Sequence, residues 1–194
     1  MTEELDLALH SGLAPPAVEE MPSLETLVAQ AQAGDIHAFG LIYERLLDRV
    51  YRYFVFHTKD RVLAEDLTEE VFLRAWQALP RYEERGSPFI AWIFRLARNL
   101  LVDHSRRAKV RQATMQRLAP TVPDGPEEQA IQRQQLQAVH DALRGLSEDH
   151  RQVIFLRIIE GYSTPEVAAM MGRSEPAVRA LLHRALQALR SSLK

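Results

Sequence analysis

Residues 163–193 carry the pattern of a helix-turn-helix, and this pattern narrows the possible folds more than any other feature of the chain. Ser163 and Glu166 stand at capping-box spacing, and Pro165 lies in the first turn, where its missing N–H is not needed. Gly172 can adopt the positive φ that ends a helix. The segment therefore predicts two short helices that are joined by a tight turn.

The second helix of this pair has one apolar face and one basic face. Ser174 stands where it can cap the helix. The apolar positions recur at four-three-four spacing: Val178, Leu182, Ala185 and Leu189. The opposite face carries Arg179, His183, Gln187 and Arg190. A capped helix with a basic outer face is typical of elements that enter a DNA major groove, although a solvated surface helix can show the same pattern.

The composition excludes several classes of protein. The 194 residues contain no cysteine, which rules out disulfides, thiol catalysis and cysteine-based zinc sites and favours the cytoplasm. No apolar run reaches the length of a membrane span, and no signal-peptide pattern is present. The histidines lack metal-ligand spacing, and there is no Gly-rich phosphate loop or nucleophile elbow. We therefore expect no enzyme activity, no metal and no cofactor.

The charge of the chain is unevenly distributed. The net charge is −2, but residues 1–35 hold seven acidic residues and no lysine or arginine, so the remainder carries +5. The most basic segments are residues 95–111 and 173–194. An acidic tail on a basic body is a recognised feature of nucleic-acid-binding proteins. One hypothesis is that residues 1–35 cover the basic faces in the free protein; the alternative is a solubilising extension.

Helical periodicity extends over most of the chain, and no segment alternates with period two. We therefore predict an all-α fold of two small helical domains joined by a flexible linker, with the helix-turn-helix in the C-terminal domain. Residues 1–22 have weak periodicity and are predicted to be a disordered acidic extension. The first domain spans residues 23–112, the proline-containing linker spans 113–126, and the second domain spans 127–194.

Three long helices are predicted in the first domain, starting after Asp35, near Asp60 and after Pro88. The predicted buried stripe of the first is Ile36, Phe39, Tyr43, Leu46, Val50 and Phe54. The third helix reaches about Arg111 and has a cationic face opposite its apolar stripe: Arg95, Arg98, Arg106 and Lys109. Because acidic partners are scarce on that face, it suits a phosphate backbone, with a solvated surface helix as the alternative.

The helix near Asp60 carries a cluster of like charges. Asp66, Glu69 and Glu70 stand three and four residues apart, where they repel one another. Such a cluster on an otherwise basic domain indicates a protein partner with a positive surface. Phe72 and Trp76 are four residues apart on the same helix and are expected in the core.

These motifs, in this order, resemble the extracytoplasmic-function group of bacterial sigma factors over residues 36–193. The segment DLTEEVFLRAW at residues 66–76 resembles the helix that grips the clamp helices of RNA polymerase. The segments AWIFRLARNL at 91–100 and DHSRR at 103–107 resemble the part that reads the promoter's minus-ten element. Residues 146–157 and 161–190 resemble the domain that binds the minus-thirty-five element.

The resemblance implies a cytoplasmic specificity subunit of RNA polymerase that has no active site of its own. Its implied partners are core RNA polymerase, at the clamp helices and the flap tip, promoter DNA and an anti-sigma protein. It implies no membrane insertion. A free-standing helix-turn-helix regulator is the alternative, but it leaves the acidic cluster and the loop after residue 80 without a role.

The resemblance also implies roles for individual residues. The loop from Arg81 to Ser87 would hold a flipped base, which requires polar edges and a stacking surface. The minus-ten set is Arg81, Tyr82, Glu83, Arg85, Arg95, Arg98, Asn99, Arg106 and Arg107. The minus-thirty-five set is Arg173, Ser174, Glu175, Arg179, Ala180, His183 and Arg184, in which Arg173 and Arg184 are expected on phosphates. The polymerase-binding set is Asp66, Glu69, Glu70, Phe72, Arg74 and Leu156.

The chain departs from many members of that group at two positions. Leu181 stands where many carry Arg, and Glu69 stands where many carry Gln. The departure at Leu181 puts one DNA contact in doubt, whereas the departure at Glu69 is a mild change of side chain.

Overall fold

The fold was obtained as a computed structural model, which describes residues 22–84, 88–114, 142–143 and 145–192. Within these residues the backbone is helical and contains no strand. The helices are α1 (Leu24–Gln32), α2 (Ile36–Thr58), α3 (Arg61–Ala78), α4 (Phe89–Thr114), α5 (Glu148–Ile154), α6 (Thr164–Met171) and α7 (Glu175–Ser192). A short 3₁₀ helix, Leu79–Arg81, follows α3, and a π-helical turn, Phe155–Ile159, continues α5. None of the described helices is both long and apolar enough to cross a membrane.

Side-chain caps determine where the first three helices begin. Ser23, Asp35 and Asp60 each accept a backbone N–H of the first turn of α1, α2 and α3. The Asp35 carboxylate accepts from the N–H groups of His37 and Ala38 at 2.9 and 3.2 Å. These donors have no partner within the helix, so the caps stabilise the predicted starts.

Helices α1 to α4, which form the first half of the molecule, bury most of the predicted apolar stripes. In α2, Leu46, Val50 and Phe54 are buried, as predicted from their spacing. Ile36 is an exception: the sequence pattern placed it in the core, but 73% of it is exposed. Its side chain lies at the rim of a surface groove beside Trp76 rather than between helices.

The helix that begins after Ser147 changes its winding halfway along its length. The N–H of Glu160 donates to the carbonyl of Phe155 at 2.9 Å, five residues back, as in a π-helix. Phe155 is buried on one side of this wider turn, whereas Ile158 and Ile159 are 58% and 49% exposed. Periodicity at 3.6 residues per turn could not place these two isoleucines at the surface.

Aromatic side chains join the first half of the molecule to the C-terminal half, which contains α5 to α7. The ring of Phe155 lies 5.3 Å from the rings of both Tyr53 and Phe56 on α2. The ring of Tyr162 lies 5.9 Å from that of Phe94 on α4. The buried side chains therefore form one continuous core from α1 to α7. The two predicted domains are consecutive along the chain, but in this structure they pack against each other.

The predicted tail and linker lie mostly outside the described residues. Residues 1–21 and 115–141 fall there, so the expected disordered extension and most of the linker are not described. Residues 113 and 114 belong to α4 rather than to the linker. Of the proposed covering tail, residues 24–32 form α1, which packs against α2, and residues 1–21 lie outside the described residues, so the hypothesis stays a prediction.

A buried histidine lies at the contact between the halves. The His57 Nδ1–H donates to the carbonyl of Tyr53 at 2.7 Å, and Nε2 lies 3.4 Å from a carboxylate oxygen of Glu148 on α5. The pKa of His57 is lowered to about 4, chiefly by burial and to a lesser extent by Arg151, against the opposing effects of Glu148 and the Tyr53 carbonyl. His57 is therefore neutral at pH 7.

We predict that acid destabilises the protein through His57. Its pKa in the fold lies below the usual 6.5, so the unfolded chain gains a proton first as the pH falls. The free energy of unfolding should therefore fall between pH 6.5 and 4, by on the order of 1 kcal/mol per pH unit from this group. Denaturant unfolding at pH 7 and pH 5 measures the loss.

The variant His57→Gln cannot take up the proton. Its free energy of unfolding should therefore fall less between pH 7 and pH 5 than that of the wild type. His37→Gln, an exposed histidine on the same helix, is the matched control and should behave like the wild type. Equal losses in all three proteins would contradict this account.

Candidate nucleic-acid interface

Helices α6 and α7 form the predicted helix-turn-helix. The Ser163 Oγ accepts from the N–H of Glu166 at 3.4 Å, and the Glu166 carboxylate accepts from the N–H of Ser163 at 2.7 Å. Gly172 has φ 62° and ends α6 in the left-handed conformation. The Ser174 Oγ accepts from the N–H of Ala177 at 3.4 Å at the start of α7. The predicted capping box, turn and second cap are therefore all present.

Helix α7 separates a buried face from an exposed one. Val178 and Ala185 are buried against the rest of the C-terminal half. The predicted minus-thirty-five residues are all exposed: Arg173, Ser174, Glu175, Arg179, Ala180, His183 and Arg184. The Arg179 guanidinium donates to the Glu175 carboxylate at 3.2 Å, one turn away. These side chains reach the surface at and around the start of α7, although Arg173 also contacts Asp149.

Leu181 lies on the buried face of α7 and is 7% exposed. The departure at this position was expected to put one DNA contact in doubt. In this conformation the Leu181 side chain packs in the core and offers little surface to DNA. Leu182, which was expected in the buried stripe, is only half-buried.

The cationic face of α4 is divided into a covered part and an exposed part. Asn99, Arg106 and Arg107 are exposed. Arg95 and Arg98 are half-buried against the C-terminal half. The Arg95 guanidinium donates to the carbonyl of Ala169 on α6 at 3.2 Å. The predicted minus-ten residues therefore do not form one free surface in this conformation.

A single carboxylate joins the two predicted DNA-binding faces. Asp149 accepts from Arg98 of α4 at 3.0 Å through one oxygen and from Arg173 through the other. All three side chains are between 29% and 41% exposed. Sequence reasoning missed this role, because an aspartate in the first turn of a helix is expected simply to favour the helix dipole.

A second group of polar contacts joins α2 to the residues that follow the π-helical turn. Arg52 of α2 donates two hydrogen bonds to the carboxylate of Glu160, at 3.0 and 3.2 Å. Arg49 donates to the hydroxyl of Tyr162 at 2.9 Å, and its guanidinium carbon lies 5.5 Å from the centre of that ring. Arginines of both α2 and α4 therefore contact the C-terminal half.

The loop that is predicted to hold a flipped base begins in the 3₁₀ helix after α3. Arg81 and Glu83 are exposed, whereas Arg85 lies outside the described residues. Tyr82 is half-buried, with its ring 5.2 Å from Phe89 and 4.9 Å from Trp92. This burial raises the pKa of Tyr82. Its ring already packs against α4, so only part of its surface is open to a base.

The acidic face of α3 borders an apolar groove. Asp66 and Glu69 are exposed, and Glu70 accepts a hydrogen bond from Arg74 at 2.6 Å. The groove has a volume of about 320 Å³ and is lined by Ile36, Phe39, Phe72, Leu73 and Trp76. Sequence reasoning missed Leu73, which is 52% exposed, although it stands four residues after Glu69 on the same face.

Two predicted polymerase-binding residues are buried. Phe72 is 4% exposed and forms part of the groove, with its ring 4.7 Å from that of Tyr43. Leu156 is wholly buried in the C-terminal core, so its side chain offers no surface to a partner in this conformation. The exposed apolar side chains nearest to Leu156 in sequence are Ile158 and Ile159.

Comparisons with known proteins agree with the helical architecture and match two separate regions of the chain. The family model for Sigma-70 region 2 matches residues 42–111, and the model for Sigma-70, region 4, matches residues 136–189. The ECF RNA polymerase sigma factor BldN of Streptomyces coelicolor is 36% identical over 178 residues, which cover 90% of this chain and 67% of BldN. The ECF RNA polymerase sigma factor SigD of Mycobacterium tuberculosis is 32% identical over 191 residues, which cover 93% of this chain and 89% of SigD.

Two solved structures of sigma factors resemble this fold. CnrH, in complex with the cytosolic domain of CnrY, has a TM-score of 0.66 and 28% identity, with 87% of this chain and 95% of CnrH covered. RpoE of Bartonella quintana, in complex with the anti-sigma factor NepR, has a TM-score of 0.64 and 25% identity, with 81% of this chain and 98% of RpoE covered. With both sigma regions matched in order, the chain belongs to the extracytoplasmic-function sigma factors, which direct RNA polymerase in transcription initiation.

Proposed function

We propose that this sigma factor binds core RNA polymerase through α3 and contacts the two promoter elements through α4 and α7. It acts in the cytoplasm and has no catalytic activity of its own, because the polymerase performs the chemistry. The observation that carries the proposal is the capped helix-turn-helix, whose seven predicted DNA-contacting residues are all exposed. A free-standing regulator is not supported, since the comparisons match region 2 as well as region 4.

The surface of α3 fits a partner that is both basic and apolar. Asp66 and Glu69 supply negative charge beside the groove, and Leu73 supplies an exposed apolar side chain. Opposite charges across an interface accelerate association and determine orientation, while the apolar groove supplies burial. These features support α3 as the polymerase-binding surface.

We predict that the full chain co-elutes with core RNA polymerase and that charge reversal on α3 weakens the complex. Asp66→Lys together with Glu69→Lys should raise the dissociation constant by at least about tenfold, because two attractive contacts become repulsive. Glu44→Lys with Asp48→Lys reverses two exposed charges on α2 and is the control. If the wild type does not co-elute, the proposed function is wrong.

The two promoter-contacting faces are expected to respond differently to mutation. Arg179 lies on the exposed face of α7, where its guanidinium can read one base edge. Arg106 lies on α4, where it is expected to contact phosphates. We predict that Arg179→Ala changes preference at one upstream position by about tenfold.

Arg106→Ala should instead weaken binding to all sequences and reduce the slope of affinity against salt by about one. Binding of the holoenzyme to a promoter library, measured at several salt concentrations, separates the two effects. The assignment is wrong if both variants weaken binding equally at every sequence.

In the conformation described here, three of the promoter-contacting arginines are occupied by the protein itself. Arg95 and Arg98 contact the C-terminal half, and Arg173 shares Asp149 with Arg98. We propose that the two halves separate when the holoenzyme binds promoter DNA. The C-terminal half covers part of α4 in this conformation, independently of any covering by residues 1–21, which lie outside the described residues.

We predict that Asp149→Asn raises the affinity of the free protein for duplex DNA by about two- to tenfold. The variant removes two partly exposed ion pairs, each of which contributes up to about 1 kcal/mol. Fluorescence anisotropy with a random-sequence duplex measures the change. Asp48→Asn, which removes the same charge from an exposed site on α2, corrects for the altered net charge. An equal gain in the two variants would contradict the proposal that Asp149 keeps Arg98 and Arg173 from binding DNA.

An anti-sigma protein is a further expected partner. RpoE of Bartonella quintana was solved with the anti-sigma factor NepR, and its fold covers 81% of this chain. We propose that an inhibitor of this class binds the exposed surfaces of α3 or α7 and thereby prevents contact with polymerase or DNA.

A further inference from the structure

A glutamine at the end of α1 contacts the start of the loop that is predicted to hold a flipped base. The Gln32 side chain donates from Nε2 to the carbonyl of Tyr82 at 2.7 Å and to the carbonyl of Leu79 at 3.1 Å. These partners are 50 and 47 residues further along the chain. The contact therefore connects α1 to the 3₁₀ helix from which the loop leaves.

The two carbonyls need donors that the local backbone supplies only in part. Leu79 accepts from the N–H of Tyr82 at 3.0 Å, which closes the 3₁₀ turn. The last carbonyls of a helix otherwise lack partners within it. A primary amide carries two N–H donors and can serve two acceptors at once, whereas the isosteric carboxylate of glutamate carries none.

Tyr82 is held on three sides. Its N–H donates to Leu79, its carbonyl accepts from Gln32, and its ring packs against Phe89 and Trp92. The following residue, Glu83, is exposed and is one of the predicted base-contacting residues. Gln32 therefore contacts the backbone at the point where the predicted base-contacting loop begins.

Helix α1 is itself a firm support for this contact. Leu27, Val28 and Ala31 are buried in the core. Arg45 of α2 donates to the carbonyl of Pro22 at 3.0 Å and fixes the chain just before α1. The glutamine side chain thus projects from an element that is anchored at its start and along its buried face.

We propose that Gln32 is a positioning residue that determines base preference in the minus-ten element by holding the backbone at Leu79 and Tyr82. This inference rests on the proposed function, because it assigns base contacts to the loop that begins at Arg81. Gln32 itself touches no DNA in this account. Small displacements at such a contact matter because recognition groups must be held within fractions of an ångström.

The test is selection of promoter DNA by holoenzyme assembled from full-length protein and core RNA polymerase. The probe is a library of fork-junction duplexes with randomised minus-ten and minus-thirty-five segments, and the bound fraction is sequenced. Gln32→Glu should reduce the preference for the favoured base at one minus-ten position by about tenfold, because two hydrogen bonds are lost. Preferences in the minus-thirty-five segment should stay unchanged.

Gln32→Ala should show the same selective loss, whereas Gln30→Ala, another exposed glutamine of α1, should behave like the wild type. Thermal midpoints and polymerase affinity of each variant identify a merely structural effect, which would weaken both segments together. Unchanged minus-ten preference in both Gln32 variants would overturn the inference. A wild type that selects no sequence at all would instead overturn the proposed function.

Discussion

The arrangement of the whole molecule depends on the apolar contact between its two halves, in which Phe155 packs against aromatic rings of α2. Its ring lies 5.3 Å from both Tyr53 and Phe56, and the ring of Tyr162 lies 5.9 Å from that of Phe94, so the buried side chains of the two halves form one core. An aromatic pair adds about 0.5–1.5 kcal/mol beyond the burial of its area, whereas an exposed ion pair contributes up to about 1 kcal/mol. The buried aromatic contacts are therefore expected to contribute at least as much attraction as the partly exposed arginine contacts.

This arrangement changes the energetics of DNA recognition. If Arg98 leaves Asp149 for a phosphate, as proposed, it exchanges one anionic partner for another, so only the difference between the two interactions would favour binding. The proposed separation of the halves would also expose apolar surface around Phe155 to water. The free protein would then gain little from DNA alone. Contacts with polymerase would have to supply the remaining free energy.

Local chemistry in the sequence predicted local structure well. The caps at Asp35 and Asp60 and the turn at Gly172 all depend on residues within one helical turn, and all three occur as predicted. Contacts that depend on a distant part of the chain were missed or misjudged. Leu181 lies in the core because another helix covers it, and Gln32 reaches partners about fifty residues away. Periodicity defines the faces of a helix, but it does not show what packs against each face.

The shared carboxylate of Asp149 has a thermodynamic consequence for promoter choice. Asp149 and Arg173 both belong to the C-terminal half, so separation of the halves would break only the contact between Asp149 and Arg98. The carboxylate would then serve Arg173 alone, and this remaining ion pair would be strengthened because a second guanidinium no longer competes for it. Release of Arg98 and release of Arg173 would thus oppose each other, and this coupling would be reciprocal. A DNA site that engages only the α4 face would leave the arginine of the helix-turn-helix paired, whereas a complete promoter would have to displace Asp149 from both.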